Sequence, residues 1–377
     1  MNGAAPSPGS SRGQLPSGRT LPVRVMVVED SLVVRRLLTH IIASDPRLLL
    51  VGAVESAEEA LRSLPRLRPD VVSMDIRLPG MDGLEATRRI MEENPTPIVV
   101  IADAVEDASL RISMNALRAG ALSVVEKPVG LSSRHYEAIA EEICTQLFIM
   151  SQVPVIRRRA IGRAAEPPFP VLPEALPMAP PGAAPVRPSV VAMAASTGGP
   201  PALARVIGAL PAGFPAPLLL VQHMGAPFME GFAAWLDGLV PLKVEIGRDG
   251  VTPLPGHVYV APGDRHLLLS RAGPLQVSAG PPVGGQRPSA NLLFRSVAEA
   301  AGTRGLGILL TGMGEDGARG LTELRRQGGF TITEHESSAV VYGMPAAAVR
   351  LGGSSASLPL HLIAPRLLRL AMPEARA

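Results

Sequence analysis

Residues 190–203 read VVAMAASTGGPPAL, in which six small apolar residues lead into a serine, a glycine pair and two prolines. A continuous apolar run of this length is typical of a strand buried on both faces of a parallel sheet. Ser196 then lies at the carboxyl end of a strand, where open α/β sheets bind their ligands. Two interpretations are open: Ser196 belongs to an ordinary turn or helix start, or it is a nucleophile.

The chain around this stretch repeats the same pattern. Short apolar runs and helical stretches alternate from residue 189 to residue 372, which predicts a second, Rossmann-like α/β domain with a parallel sheet. The predicted strands are VVAMAAS, PLLLVQH, HVYVAP, HLLLS and LGILLTG. Residues 247–285 have closely spaced glycine and proline, and we interpret them as an insertion that contains a β-hairpin.

The N-terminal half predicts another α/β domain, over residues 22–145. Five short strands (VRVMVV, LLLVGAV, VVSMD, IVVI and LSVVE) alternate with helices, three of which are predicted to begin at Ala57, Gly83 and Asp107. This alternation predicts a doubly wound, flavodoxin-like sheet in the order 2-1-3-4-5. Residues 1–21 read as a disordered tail, and residues 146–188 as a proline-rich linker between the domains.

Composition excludes several classes of protein. No apolar run reaches about 18 residues, which argues against membrane insertion, and the N-terminus does not resemble a secretory signal. Cys144 is the single cysteine, so an internal disulfide is excluded and a cytoplasmic location is expected. The net charge of +3 and the lack of a basic cluster argue against nucleic acid as a partner, and we assign the basic run at 157–159 to the linker.

Three carboxylates are expected to meet in the first domain. Glu29 and Asp30 follow the first strand and Asp75 follows the third. The order 2-1-3-4-5 makes these strands neighbours, and carboxylates that close together favour a bound cation such as Mg²⁺. Lys127, one of only two lysines among 36 basic residues, ends the fifth strand within reach of the same pocket. The alternative is that Asp30 and Ser31 cap a helix and that the other acids belong to ordinary turns.

A second set of residues is expected to meet at Ser196. His223 ends the strand PLLLVQH, and Asp316 lies in the glycine-rich turn LLTGMGEDGARG that follows another strand. A serine hydroxyl needs a positioned base before it becomes a good nucleophile. The chain order Ser, His, Asp differs from that of the best-known serine hydrolases, but triads are defined by geometry and not by order. Alternatively, His223 is a core histidine and Asp316 a turn residue.

Other histidines compete for the role of base, and His335, which follows the strand FTIT, is the second candidate. The remaining competitors are His257, His266 and His361. Ser196 does not lie in a G-x-S-x-G motif, because Ala194 replaces the first glycine. The chain also lacks the H-x-x-x-H and C-x-x-C spacings of zinc sites.

The motifs VEDS, SMDIRLPGMDGLEATRRI and VVEKP resemble those of response-regulator receiver domains across residues 22–145. The resemblance implies that a histidine kinase phosphorylates Asp75, that Glu29, Asp30 and Asp75 hold Mg²⁺, and that Lys127 contacts the phosphoryl group. Two positions depart from the family. Ala102 stands where the family has a serine or threonine, and Val124 stands where it usually has a larger aromatic residue.

The second domain resembles the catalytic domain of the chemotaxis protein-glutamate methylesterases. The resemblance rests on AASTGGPPAL, VQHM, RDG, HVYVAPGDRH, NLLFRSVA, LLTGMGEDGARG and ESSAVVYGMPAAAV, which occur in the family's order. It implies a triad of Ser196, His223 and Asp316, with the backbone N–H of Met313 as an oxyanion donor and no cofactor for the esterase. The departures are small: Gly225 and Pro227 exchange the usual order, and Asn291 replaces a commonly acidic residue.

The implied activity is hydrolysis of glutamate methyl esters on methyl-accepting chemoreceptors, with release of methanol and a second activity of glutamine deamidation. In the family the unphosphorylated receiver covers the catalytic face. Given Ala102, we expect phosphorylation to be weakly or differently coupled to activity in this chain. Two other classes of protein are alternatives: a non-catalytic, phosphorylation-controlled adaptor that binds receptors, and a DNA-binding regulator. The intact triad argues against the adaptor, and the lack of a basic recognition helix argues against the regulator.

Overall fold

The structure, a computed structural model, describes residues 21–102, 115–117, 119–128, 133–153, 155 and 187–372. The predicted N-terminal tail, the helix start at Asp107, the basic run at 157–159 and most of the predicted linker lie outside these residues.

The first domain contains a five-stranded parallel sheet in the order β2-β1-β3-β4-β5, which confirms the predicted order. The strands are β1 (Val23–Val28), β2 (Leu48–Val54), β3 (Val71–Met74), β4 (Ile98–Ala102) and β5 (Ser123–Glu126). The described helices are α1 (Leu32–Ser44), α2 (Ala57–Leu67), α3 (Gly83–Glu93) and α4 (Ser133–Met150).

Side-chain caps start the first three helices. The Ser31 hydroxyl accepts a hydrogen bond from the Val34 N–H and so caps α1. This is the capping role that Ser31 has in the alternative interpretation of the sequence. Asp30 is exposed. Ser56 and Asp82 cap α2 and α3 in the same way. Such caps satisfy N–H groups that the first helical turn leaves without a partner. They also fix where the chain turns back from each strand end.

The second domain contains a seven-stranded parallel sheet in the order β14-β13-β12-β6-β7-β9-β8. Its strands are β6 (Val190–Ala195), β7 (Leu218–Gln222), β8 (Lys243–Ile246), β9 (His257–Val260), β12 (Gly305–Leu309), β13 (Phe330–Glu334) and β14 (Ala356–Leu358). The predicted hairpin is formed by β10 (His266–Leu269) and β11 (Leu275–Ser278), which pair antiparallel outside the sheet. HLLLS therefore belongs to this hairpin, whereas HVYVAP, which lies in the same predicted insertion, contributes β9 to the main sheet.

The helices of this domain cover both faces of the sheet. They are α5 (Gly199–Gly208), α6 (Met229–Asp237), α7 (Ala290–Ala301), α8 (Ala318–Arg326), α9 (Met344–Arg350) and α10 (Leu360–Ala371), with short 3₁₀ turns at Ala226–Phe228 and Gly302–Arg304. All six residues of β6 are buried, and alternate ones pack into hydrophobic clusters on opposite faces of the sheet. Burial on both faces explains the unbroken apolar run in the sequence.

The order of the strands locates the binding edge of this sheet. From β6 the chain passes to β7 on one side and later returns to β12 on the other. This reversal makes the carboxyl end of β6 a topological switch point, where open α/β sheets have a crevice for ligands. Ser196 follows β6 directly, and the turn containing Asp316 follows β12.

Helix α4 ends at Met150, beyond the boundary predicted at residue 145. The domain limits remain predictions, because the chain between the two domains falls largely outside the described residues. Among the helices described, none combines the length and apolar character that a membrane span requires.

Candidate active site and acidic pocket

Ser196 is held by the backbone at the end of β6. Its N–H donates to the Thr311 carbonyl at 3.0 Å, and its own carbonyl accepts the Gly199 N–H at 2.8 Å. Gly198 has a φ of +76°, and a Cβ at this position would lie 2.6 Å from Cβ of Val340. Only glycine fits this turn without strain. The turn lets α5 start immediately behind the half-buried serine.

His223 and Asp316 form a buried pair beside Ser196. Nε2 of His223 lies 2.9 Å from Oδ2 of Asp316, and both side chains are less than a tenth exposed. An ionised carboxylate only accepts hydrogen bonds, so the neutral imidazole carries its proton on Nε2. Nδ1 is then the nitrogen that can accept a proton from another group.

Asp316 lies on the N-terminus of α7. Besides His223, it accepts hydrogen bonds from the Ser289 hydroxyl at 2.9 Å and from the N–H groups of Ala290 at 2.7 Å and Asn291 at 3.1 Å. Burial alone raises the pKa of Asp316, but the bonds from His223 and these N–H groups outweigh it and hold the pKa below its ordinary value. The positive end of the helix dipole favours the anion further. Asp316 therefore stays ionised and can orient His223.

The turn after β12 touches the nucleophile. A Cβ at Gly312 would lie 2.7 Å from Cβ of Ser196, so only glycine permits this approach. The Gly312 N–H donates to the Val341 carbonyl. Within the described part of the chain, by contrast, no carbonyl accepts the N–H of Met313. The role of Met313 as an oxyanion donor stays a prediction, and it requires an N–H without a carbonyl partner.

The structure thus brings Ser196, His223 and Asp316 to one sheet edge. Ser196 and His223 line the same cavity, although no hydrogen bond joins the serine hydroxyl to the imidazole. Catalytic hydrogen bonds are often long before substrate binds. The competing histidines make other contacts. His257 bonds Glu245, and His335 bonds Ser337. His266 bonds Pro281 and Ser289, and His361 lies in α10.

The cavity at Ser196 is also bounded by the first domain. Its walls include Val124 of β5 and Gln146 of α4, and the Gln146 amide donates to the Thr197 hydroxyl at 3.3 Å. The cavity volume is about 30 Å³. The first domain therefore forms one wall of the space in front of Ser196.

The first domain has an acidic pocket at the carboxyl edge of its sheet. Carboxylate oxygens of Glu29, Asp30 and Asp75 all lie within 4.8 Å of one another. The ammonium of the buried Lys127 lies 2.9 Å from Asp75 and 3.1 Å from Glu29. All four predicted pocket residues are therefore brought together.

The charges in this pocket are unbalanced. Burial and then the Asp75 carboxylate raise the pKa of Glu29 to about 7, although Lys127 opposes the shift. Burial likewise raises the pKa of Asp75. Oε2 of Glu29 is buried and accepts no hydrogen bond of good geometry. A set of three carboxylates close together, two of them buried and with one lysine beside them, fits a hard divalent cation such as Mg²⁺. Beside the pocket, the buried Ala102 ends β4 without a hydroxyl.

Three residues that support the active site were not identified from the sequence. The buried Gln222 amide donates to the carbonyls of Ser196 and His223 and so joins nucleophile and base. Ser289 donates to Asp316, and Glu334 accepts the N–H of Thr311. Gln222 and Glu334 are polar residues that each end a buried strand, and this position is the sequence signal that could have identified them. The signal for Ser289 is its place before the apolar helix NLLFRSVA.

Comparison with known proteins identifies the families of both domains. Residues 191–367 match the family described as CheB methylesterase, and residues 25–137 match the response regulator receiver domain. The protein-glutamate methylesterase/protein-glutamine glutaminase 2 of Paramagnetospirillum magneticum is 51% identical over 350 residues, covering 93% of this chain and 98% of the relative. The corresponding protein 4 of Myxococcus xanthus is 48% identical over 87% of this chain and 91% of its own length.

Among solved structures, the Thermotoga maritima CheB methylesterase catalytic domain is 35% identical, with a TM-score of 0.47 over 49% of this chain and 100% of that domain. The two curated relatives match this chain over nearly its full length, including both domains. The chain belongs to the protein-glutamate methylesterase/protein-glutamine glutaminase family, with a receiver domain followed by a CheB methylesterase domain.

Proposed function

We propose that the chain hydrolyses glutamate methyl esters on methyl-accepting chemoreceptors and also deamidates specific receptor glutamines. The observation that carries the proposal is the buried His223–Asp316 pair beside Ser196 at the switch point of the sheet. The names of the curated relatives supply the substrate class. In this proposal the reaction takes place in the cytoplasm.

In the first half-reaction the Ser196 hydroxyl attacks the ester carbonyl while Nδ1 of His223 accepts its proton. Asp316 holds the imidazole in the tautomer that leaves Nδ1 free, and stabilises the imidazolium that forms. The negative charge on the carbonyl oxygen is stabilised by the N–H of Met313. The protonated His223 then donates its proton to the departing methoxide, so that methanol and a glutamyl ester of Ser196 result.

In the second half-reaction, water attacks the glutamyl ester with His223 again as base. Collapse of the intermediate returns the proton to Ser196 and leaves a free glutamate carboxylate. A primary amide follows the same course, with ammonia as the leaving group. Both reactions need the same three side chains, and none of the steps requires a cofactor.

We assign the acidic pocket to phosphorylation of Asp75 by a histidine kinase. Mg²⁺ held by Glu29, Asp30 and Asp75 would neutralise charge on the phosphoryl group during transfer. The Lys127 ammonium, already 2.9 Å from Asp75, pairs with the added phosphate. Phosphorylation brings negative charge into a pocket that already holds three carboxylates, and so shifts the balance of contacts around β4 and β5.

The contact between the domains supports a regulation in which the first domain controls the access of substrate to Ser196. Val124 and Gln146 of the first domain line the cavity at Ser196, and in this proposal the receiver moves before a receptor helix presents its ester. Ala102 supplies no hydroxyl to follow the phosphoryl group at the end of β4. We infer that phosphorylation shifts the domains less effectively here than in relatives that have the hydroxyl.

The proposal is tested with the full-length protein and a methylated receptor in ¹⁸O-labelled water. Acyl transfer predicts unlabelled methanol and one ¹⁸O atom in each new glutamate carboxylate. Label in the methanol would contradict the proposed serine mechanism. A protein that binds receptor but releases no methanol, with or without a phosphodonor, would support the adaptor function instead.

A further inference from the structure

The catalytic domain buries a carboxylate that the proposed mechanism does not use. Glu334, the last residue of β13, is 0% exposed. Its Oε2 accepts the N–H of Thr311 at 2.9 Å, and its Oε1 accepts the Ser338 hydroxyl at 2.9 Å. Burial raises the pKa of this carboxyl, although the two hydrogen bonds and Arg205 oppose the shift. A carboxylate in a core costs free energy compared with an apolar residue.

The partner of Glu334, Thr311, connects the two segments that form the nucleophile and the oxyanion turn. The Thr311 carbonyl accepts the Ser196 N–H at 3.0 Å. Its hydroxyl donates to the Thr197 carbonyl and accepts the Val341 N–H, each at 2.9 Å. Thr311 also directly precedes Gly312 and Met313. Its position therefore fixes the backbone of Ser196 and the start of the turn that contains the proposed oxyanion donor, the Met313 N–H.

The other side of Glu334 is anchored outside the active site. Ser338 donates to Oε1 of Glu334, and its hydroxyl oxygen accepts the N–H of Leu360, the first residue of α10. A continuous set of hydrogen bonds thus runs from α10 through Ser338, Glu334 and Thr311 to Ser196. No hydrogen bond of this set reaches the paired side chains of His223 and Asp316, since Asp316 rests on the N-terminus of α7.

We propose that Glu334 is a positioning residue that aligns Ser196 with the Met313 N–H through Thr311. The proposal rests on the proposed function, since it assigns Glu334 to the same acyl-transfer site. The alignment matters only when the tetrahedral oxyanion forms, so its loss lowers kcat and leaves KM nearly unchanged. A displacement of about 1 Å in such a site costs about 10²-fold in rate.

Two substitutions separate hydrogen bonding from charge. Glu334→Gln keeps a carbonyl oxygen for the Thr311 N–H, and its amide can donate to the Ser338 oxygen. Glu334→Leu removes both hydrogen bonds at similar side-chain volume. Thr333→Val is the matched control. Thr333 lies on the same strand and is fully buried, and its hydroxyl bonds the Ser354 hydroxyl and not Thr311.

The experiment measures kcat and KM for methanol release from a methylated receptor, together with the melting temperature, for each full-length variant. We expect Glu334→Leu to lose about 10²-fold in kcat with KM within about twofold, and Glu334→Gln to stay within about threefold of wild type. The pH profile keeps its shape in Glu334→Leu, because the environment of His223 is unchanged. Thr333→Val lowers the melting temperature but not kcat.

Either of two results would overturn the assignment. One is a folded Glu334→Leu protein with wild-type kcat. The other is an equal loss of kcat in Glu334→Gln and Glu334→Leu. If Glu334→Leu does not fold, Ser338→Ala is measured instead, because it removes only the outer anchor, the Ser338 hydroxyl that bonds Glu334 and Leu360. A wild-type kcat in Ser338→Ala would also overturn the assignment. A wild-type protein without methanol release would instead overturn the proposed function, so the two failures are distinguishable.

Discussion

Asp316 shows how one side chain can serve both the fold and the chemistry. It binds His223 through Nε2, and the start of α7 through one hydroxyl and two backbone N–H groups. These contacts are directional and fill both carboxylate oxygens, so the imidazole has one orientation. The same contacts keep the carboxylate ionised well below neutral pH. The acid limb of activity is therefore not expected to report the protonation of Asp316.

Asp316→Asn is expected to reduce kcat about 10⁴-fold, because an amide that donates to Nε2 reverses the tautomer of His223. Stability should change as well. Since the folded-state pKa of Asp316 is lowered, its stabilisation is present above the ordinary value of 3.8 and is lost as pH falls through the lowered pKa. Urea unfolding of wild type and Asp316→Asn should thus differ most near pH 7, and the difference should shrink progressively as pH falls below about 4. A difference that is constant from pH 7 to pH 3 would contradict this account.

At the level of elements, the sequence could locate the active site because parallel strands present their carboxyl ends at one sheet edge. That rule was sufficient to group Ser196 with His223 and Asp316. It could not show that Asp316 rests on α7, because the contact joins segments 25 or more residues apart that no strand-end pattern relates. Nor did the pattern indicate β8 and β14, which have four and three residues and depend on pairing with β9 and β13.

The turn between β6 and α5 offers a test of this geometry. Gly198→Ala places a side chain at a φ of +76° and 2.6 Å from Cβ of Val340. We expect a loss of about 2 kcal/mol in the free energy of unfolding, together with a fall in esterase kcat as Ser196 shifts. Gly213→Ala is the control, because a Cβ there meets nothing within 4 Å. Equal effects of the two substitutions on stability and kcat would show that the turn is not strained as described.

For the whole molecule, the arrangement of the domains connects the acidic pocket to the esterase. The first domain contributes Val124 and Gln146 to the wall of the cavity at Ser196. Val124 lies on β5, the strand that Lys127 follows directly. A change of charge around Lys127 therefore occurs close to the surface that narrows the cavity. Regulation in this account is a change in the population of open and closed arrangements.

Ala102 is the residue expected to limit this coupling. Beryllofluoride, which mimics a phosphoryl group on Asp75, should raise the esterase kcat of the full-length protein by less than about fivefold, the lower end of usual allosteric effects. Ala102→Thr supplies the missing hydroxyl and should increase the stimulation, whereas Ala102→Val, equal in shape but without the hydroxyl, should not. Asp75→Asn should abolish any response. Many-fold stimulation of the wild-type protein, or equal stimulation of the Thr and Val variants, would contradict this interpretation.

The central claim is that Ser196 is the nucleophile of a protein-glutamate methylesterase. The most direct measurement is methanol release from a methylated chemoreceptor by Ser196→Ala, compared with wild type and with Ser189→Ala at the opposite end of β6. We predict that Ser196→Ala loses about 10⁶-fold in kcat for methanol release, while Ser189→Ala retains wild-type turnover. Turnover near the wild-type rate in a correctly folded Ser196→Ala protein would contradict the account.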